Sequence, residues 1–238
     1  MKATHWLWIL PLALTAWPCV RAAQRHEQFD QDPGWDGHHN RSAKPETIRQ
    51  DFGWSAGTTH AGGAAGEIGG LITPAAEPAY YARKLPARTL SDGLTASGTV
   101  FVEKGAGHTL IGFFNASTLN EWRTPNSIVL RINQRGDVFH CHLEYCTRKW
   151  RASAGIIGVH DQARDRMNAK ELPSGRVYSW SINYDPNGHG GRGLVTATLD
   201  GDQAAGALFD RFGLVTPWID GNGQHVYFDN LSYTCQQE

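Results

Sequence analysis

No stretch of the 238-residue chain is long and apolar enough to cross a bilayer as a helix; the longest apolar run, from Trp6 to Trp17, is too short. Charge of one sign is missing too, with 22 Lys and Arg against 23 Asp and Glu. A near-neutral chain lacks the basic field that nucleic acid attracts. Helix-period patterns are scarce, and no G-x-S-x-G, Walker loop, zinc-protease helix or dinucleotide fingerprint occurs. Chemistries that depend on those motifs are excluded. Cysteine is sparse, at 4 residues, and only Cys141, Cys146 and Cys235 lie beyond the first 22 residues, an odd number that leaves at least one thiol unpaired or in an intermolecular bridge.

Glycine is abundant, at 27 residues, and so are tryptophan, at 9, and tyrosine, at 7. Together with many turn signals, this composition points to an all-β chain. Residues 1–22 read as a signal peptide: Lys2 gives a positive start, an apolar core follows, and Val20-Arg21-Ala22 offers a small-residue cleavage site. Pro18 directly before Cys19 fits a lipoprotein signal poorly. Cleavage would leave 216 residues, a size usual for one sandwich domain, and the formal charge would move from −1 to −3 as Lys2 and Arg21 leave. The expected location is secreted or periplasmic.

The stretch WSINYDPNGHGGRGLVTATLDG, from Trp180 to Gly201, organises the rest. Trp180, Ile182 and Tyr184 alternate with Ser181, Asn183 and Asp185, the period of a half-buried strand. The loop DPNGHGGRG follows, where left-handed backbone is cheap, and then Val195, Ala197 and Leu199 alternate with polar residues. A hairpin with one apolar face needs a second sheet over it. Further strands are predicted at Ile48–Trp54, Gly66–Thr73, Ala79–Leu85, Thr95–Glu103, His108–Asn115, Asn126–Gln134, Asp137–Thr147, Phe209–Thr216 and His225–Thr234. That makes about eleven strands, in two sheets of about five or six. Residues 23–47 read as an irregular segment pinned by Phe29 and Trp35 to a domain spanning 48–238, and a short helical turn is expected near Asp161–Ala169.

A Trp-led strand ending in Tyr-Asp, a Gly-rich loop and a strand ending in Leu-Asp-Gly resemble the central hairpin of laminin-G-like domains. FDRFGLVT and the closing HVYFDNLSYT, in which Asp229 follows an aromatic residue, extend the likeness. These belong to the concanavalin A-like jelly rolls, and the opening FDQDPGWDG is similar to that of uncharacterised secreted bacterial proteins. The resemblance implies an antiparallel two-sheet β-sandwich (a jelly roll, lectin-like) and a sugar-binding concave face. It also implies a structural calcium where the first and last strands meet, for which Asp30 and Asp229 resemble the acidic positions.

The densest polar chemistry lies in DVFHCHLEYC. Positions two apart on a strand share a face, so His140, His142 and Glu144 line up opposite Phe139, Cys141, Leu143 and Tyr145. Arg131 and Asn133 on the preceding strand face away from Leu130 and Ile132, and Trp122 and Trp150 are loop rings able to stack on a sugar. Such a face is often plain solvated surface. As a ligand-binding face it would take a glycan or polysaccharide. A zinc site at the two histidines and Glu144 demands that side chains roughly 6–7 Å apart converge. A polysaccharide-degrading enzyme would use the same face, with His142 as base and Arg131 and Asn133 neutralising a uronate. Paired carboxylates of the E-x-D-x-E kind are absent, since Glu103, Glu121 and Glu144 stand alone. A structural or adhesive module without a small ligand is the third reading.

Cys141 and Cys146, about 16 Å apart on an extended strand, cannot bridge each other unless the strand breaks; Cys146 with Cys235 is compatible with the pattern. Cys141 is expected to be a buried thiol. N-terminal sequencing of exported protein is expected to begin near Ala23; Met1 found there would contradict the leader.

Overall fold

The structure is a computed structural model that describes residues 23–41, 49–73, 78–118, 125–149, 151–155, 157–162, 166–197, 199–201, 208–216 and 223–235. The expected leader and the loop tryptophans Trp122 and Trp150 lie outside the described residues. Eighteen strands form among those described. In chain order they are β1 (Ala23–Glu27), β2 (Asp36–His38), β3 (Asp51–Ser55), β4 (Glu67–Ile72), β5 (Ala79–Thr89) and β6 (Leu94–Val102). Next are β7 (Gly105–Phe114), β8 (Ser127–Gly136), β9 (Val138–Cys146), β10 (Arg151–Gly155), β11 (Ile157–Asp161) and β12 (Arg166–Ala169). The last are β13 (Leu172–Pro173), β14 (Val177–Asp185), β15 (Leu194–Ala197), β16 (Leu199–Gly201), β17 (Leu208–Thr216) and β18 (Gln224–Cys235).

Strands β11 and β12 pair as a separate two-stranded sheet, and the other sixteen make an antiparallel two-sheet β-sandwich of jelly-roll type. The first runs β16-β15-β14-β6-β18-β4-β3, with β1 against β18; the second runs β10-β9-β8-β7-β17-β5-β2, with β13 against β9. Each sheet has 8 strands rather than the expected five or six. The additional strands are two to five residues long, too short for alternation to register as a pattern. Two expectations change accordingly. The segment read as irregular contributes β1 to the first sheet and β2 to the second. The helical turn expected near Asp161–Ala169 is instead the β11–β12 hairpin, because a polar stretch carries neither a clear helical nor a clear strand period.

The organising hairpin forms as its alternation dictates. Trp180, Ile182, Tyr184 and Val195 are buried in the intersheet core, Ala197 packs against it, and Asn183 is exposed. Its Gly-rich loop folds into a short turn, α1 (Gly188–Gly191), with His189 at φ 50° and Gly190 at φ 72°. The Asp185 carboxylate accepts the Asn187 amide at 2.9 Å and closes that turn.

The motif FDQDPGWDG is structural. Phe29 and Trp35 are buried, edge to face at 5.5 Å. Between them, the Asp32 carboxylate accepts the Gly34 amide at 2.9 Å and the Tyr81 hydroxyl at 3.4 Å. The Ser55–Gly66 loop makes the close backbone approach that its small residues imply at two glycines only: a Cβ on Gly62 would sit 1.2 Å from Asp229 Oδ2 and one on Gly66 2.1 Å from the Phe29 carbonyl, while Gly57 and Gly63 face open space. Replacing Trp180 by Ala is expected to cost about 3–5 kcal/mol, read as a lower urea midpoint with the fold retained; a loss below about 1 kcal/mol would mean that the ring is not packed between the sheets.

Candidate functional site

Gly136, at φ 68°, turns β8 into β9 and thereby sets the register of the polar face. Arg131 lies opposite His142, and Asn133 opposite His140. Directly paired residues share a face, and that face points away from the core holding Leu130, Ile132, Phe139 and Leu143. Arg131, Asn133, His140 and His142 are all half-buried there. The structure therefore brings together the five strand residues singled out from sequence, since Glu144 follows in the same row.

Glu144 is not open to a ligand. It is 5% exposed, and its Oε1 accepts from Arg131 Nε at 2.5 Å. Its expected place in an open groove is thus corrected: the carboxylate braces the arginine, fixing the guanidinium plane above the sheet. The two histidine rings stand 6.4 Å apart at 48°. Among the described residues no group of three or more His, Cys, Asp or Glu is placed to hold a metal ion. A shared zinc has no donor set here.

The register extends the face beyond what the sequence revealed. His108 on β7 pairs with Asn133, so His108, Asn133 and His140 form one row across three strands. The next row runs His142, Arg131, Leu110, Val215, Tyr80 and His38 across six strands. Its middle is apolar: Leu110, Val215, Val129, Ala82 and Phe114 form a second buried cluster on the outward side. Strands β7, β17 and β5 are thus buried on both faces at mid-length, which explains continuous runs such as TLIGFF. At the far end, His38 stacks on Tyr80 at 5.2 Å, and the Arg211 guanidinium lies 6.0 Å from the same ring. Arg211 also reaches Asp36 at 3.7 Å. The face is polar at both ends and apolar between. His108, Tyr80, His38 and Arg211 were not found from sequence, since only strand order puts them on the same sheet face as β8 and β9. The doubled GHH and YY offered the one local signal.

The outward side of the first sheet carries other polar groups. Glu67, 1% exposed, accepts the Ala61 amide at 2.8 Å and bonds His60 Nδ1 at 2.6 Å. The His60 ring stacks on Tyr227 at 3.8 Å. Burial, then the charges of Glu103 and Glu67, push the Tyr227 phenol up. Beside them lies a cleft of about 760 Å³ whose lining includes Arg41, Arg49, Asp51, Trp54 and Tyr227. Its arginines are already engaged, Arg41 with the Trp54 carbonyl and Arg49 with Asp51.

Asp229 is buried and Asp30 exposed. Burial raises the Asp229 carboxyl above its ordinary range, while the Asn230 amide, donating at 2.7 Å, opposes the rise. The charge of Glu67, itself buried, adds to the rise, and among the described residues no group of three or more His, Cys, Asp or Glu is placed to hold a metal ion.

No family model and no curated protein matches the chain. Among solved structures, it is similar to the carbohydrate recognition domain of Emp47p, with 11% identity over 85% of this chain and 95% of that one, at a TM-score of 0.41. It is also similar to the T. cruzi calreticulin globular domain, with 10% identity, 87% and 86% coverage and a TM-score of 0.44. A third is an alginate lyase from Alteromonas sp. 272, with 13% identity, 89% and 93% coverage and a TM-score of 0.39. A match to a sialidase spans 15% of that chain. At these identities and scores the likenesses carry no argument about ligand or activity.

Replacing Glu144 by Ala strands the guanidinium and is expected to cost about 3–5 kcal/mol, as for a buried pair losing one partner. His142 to Ala, at a half-buried position, is expected to cost about 1 kcal/mol or less. Equal urea midpoints for the two variants would refute the bracing role.

Proposed function

We propose that this chain is an exported carbohydrate-binding jelly roll whose outward β8–β9 face recognises a glycan or polysaccharide outside the cell membrane. One observation supports this reading above others: the pairing of Arg131 with His142, and of Asn133 with His108 and His140, on one half-exposed face. Sugar hydroxyls need closely spaced donors and acceptors. Guanidinium, amide and imidazole groups supply both, and the Arg131 guanidinium is held in place before any ligand arrives. Trp122 and Trp150 remain part of the proposal as rings flanking the groove.

Register also favours a second reading. A base (His142) stands beside a cation (Arg131) and an amide (Asn133), an arrangement suited to proton abstraction next to a neutralised uronate. Calcium at Asp229 belongs to the proposal only with backbone carbonyls as its other donors; a higher Tm on adding calcium to chelator-treated protein is its test. The experiment for the face is a glycan array probed with the mature protein, with calcium and with chelator. Arg131→Ala and His142→Ala are expected to weaken binding at least about tenfold, a loss of about 1.4 kcal/mol, with His142→Ala still folded. Unchanged binding in both variants would remove this face. Depolymerisation of a uronic-acid polymer that is lost in His142→Ala would establish the enzyme.

A further inference from the structure

The two sheets do not close on each other everywhere. Between β8 and β9 on one side and β6, β14 and β18 on the other lies a cavity of about 320 Å³, walled mainly by apolar side chains such as Ile132, Phe139 and Trp180. Exposed Lys170 also lines it, so the cavity reaches solvent there. Protein interiors pack like organic crystals, with few voids larger than a water. This volume instead falls in the range of small-molecule pockets.

Two polar features bear on what it takes. Trp180 is 7% exposed, and its Nε1 has no hydrogen-bond partner; a buried donor in that state is stabilised by any acceptor brought to it. Cys141 is a free thiol on the wall, and burial pushes it up to about 12, so it stays neutral and adds no charge. Among the described residues of the lining, Lys170 is the charged one. An apolar body, an acceptor oxygen and a single negative charge complement this set.

We propose that the intersheet cavity binds a medium-chain carboxylic acid or a similar single-headed amphiphile. The tail lies between the sheets, the head is met by Lys170, and an oxygen accepts from Trp180 Nε1. By the share of about 30 Å³ that a water occupies, the cavity has room for roughly ten heavy atoms, which matches octanoate or decanoate. The site is separate from the outward glycan face and does not rest on it.

The test is calorimetric titration of the folded mature protein with decanoate below its micelle-forming concentration, with decanol as the uncharged control. Saturable one-to-one binding is expected. Lys170→Glu is expected to weaken decanoate about fivefold, as for a partly exposed ion pair, and to leave decanol nearly unchanged. Bound decanoate is also expected to slow modification of Cys141 by a thiol reagent, mapped by peptide mass. His142→Ala is expected to bind decanoate as the parent does. Absence of saturable binding to the parent protein would overturn the proposal, and so would binding that neither protects Cys141 nor responds to Lys170→Glu.

Discussion

One contact holds the sandwich in the form that everything else requires. The rings of Phe212, from one sheet, and Tyr233, from the other, stack at 4.5 Å and 14°, both fully buried. Trp35 meets both edge-on, at 6.2 and 5.8 Å. Trp35 arrives on the N-terminal segment, which pairs through β1 with the first sheet and through β2 with the second. The segment is therefore a strap across the sandwich, and the ring cluster fixes how far apart the sheets stand. Offset and edge-to-face arrangements add to the area such rings bury. The Tyr233 hydroxyl finds Glu27 at 3.1 Å on the same strap, so the buried phenol is not left unpaired. Burial in that position pushes it far above its ordinary range.

From this fixed spacing the outward face follows by register alone. Every side chain on β8 and β9 has its direction set by which neighbour occupies the core. A slip of one residue would exchange Ile132 for Arg131 and Cys141 for His142. The core cannot accept those polar groups without partners, so the intersheet packing specifies the polar row as firmly as it specifies itself. The Arg131–Glu144 pair adds a second constraint at right angles. It ties the two strands together on their outer side.

Most of this was legible where alternation runs for five residues or more. The core face of β14, the core face of β9 and the turn at Gly136 could all be read from period and glycine. The opposite face of β9 could be read too, because His140, His142 and Glu144 alternate with large apolar residues. Strand order could not be read. His108 and Tyr80 are about thirty and sixty residues from His140 in sequence, and only the β7–β17–β5 succession puts them on the same surface. Nor could the burial of Glu144 be read, since a carboxylate among polar neighbours looks solvated until the position of its arginine is known. The second apolar cluster was hidden for a related reason. A strand buried on both faces loses its alternation, and TLIGFF says only that it is buried.

The two flanks of the sandwich are packed differently, and both proposed binding surfaces lie on one of them. On the flank of β17, β18 and the strap, aromatic rings fill the space between the sheets. On the flank of β8, β9 and β14, Leu130, Ile132 and Cys141 face the rings of Tyr178, Trp180 and Phe228 across a cavity. The rings there pair within their own neighbourhood, Phe139 with Tyr178 at 5.2 Å and Trp180 with Phe228 at 6.3 Å, both edge to face, and the space beside them stays open. Those same strands carry the polar row on their outer side: Cys141 lies between His140 and His142, and Ile132 between Arg131 and Asn133. The rigid flank supplies the frame, while the incompletely filled flank has, on opposite sides of two strands, one surface suited to hydroxyl-rich ligands and one suited to an apolar tail.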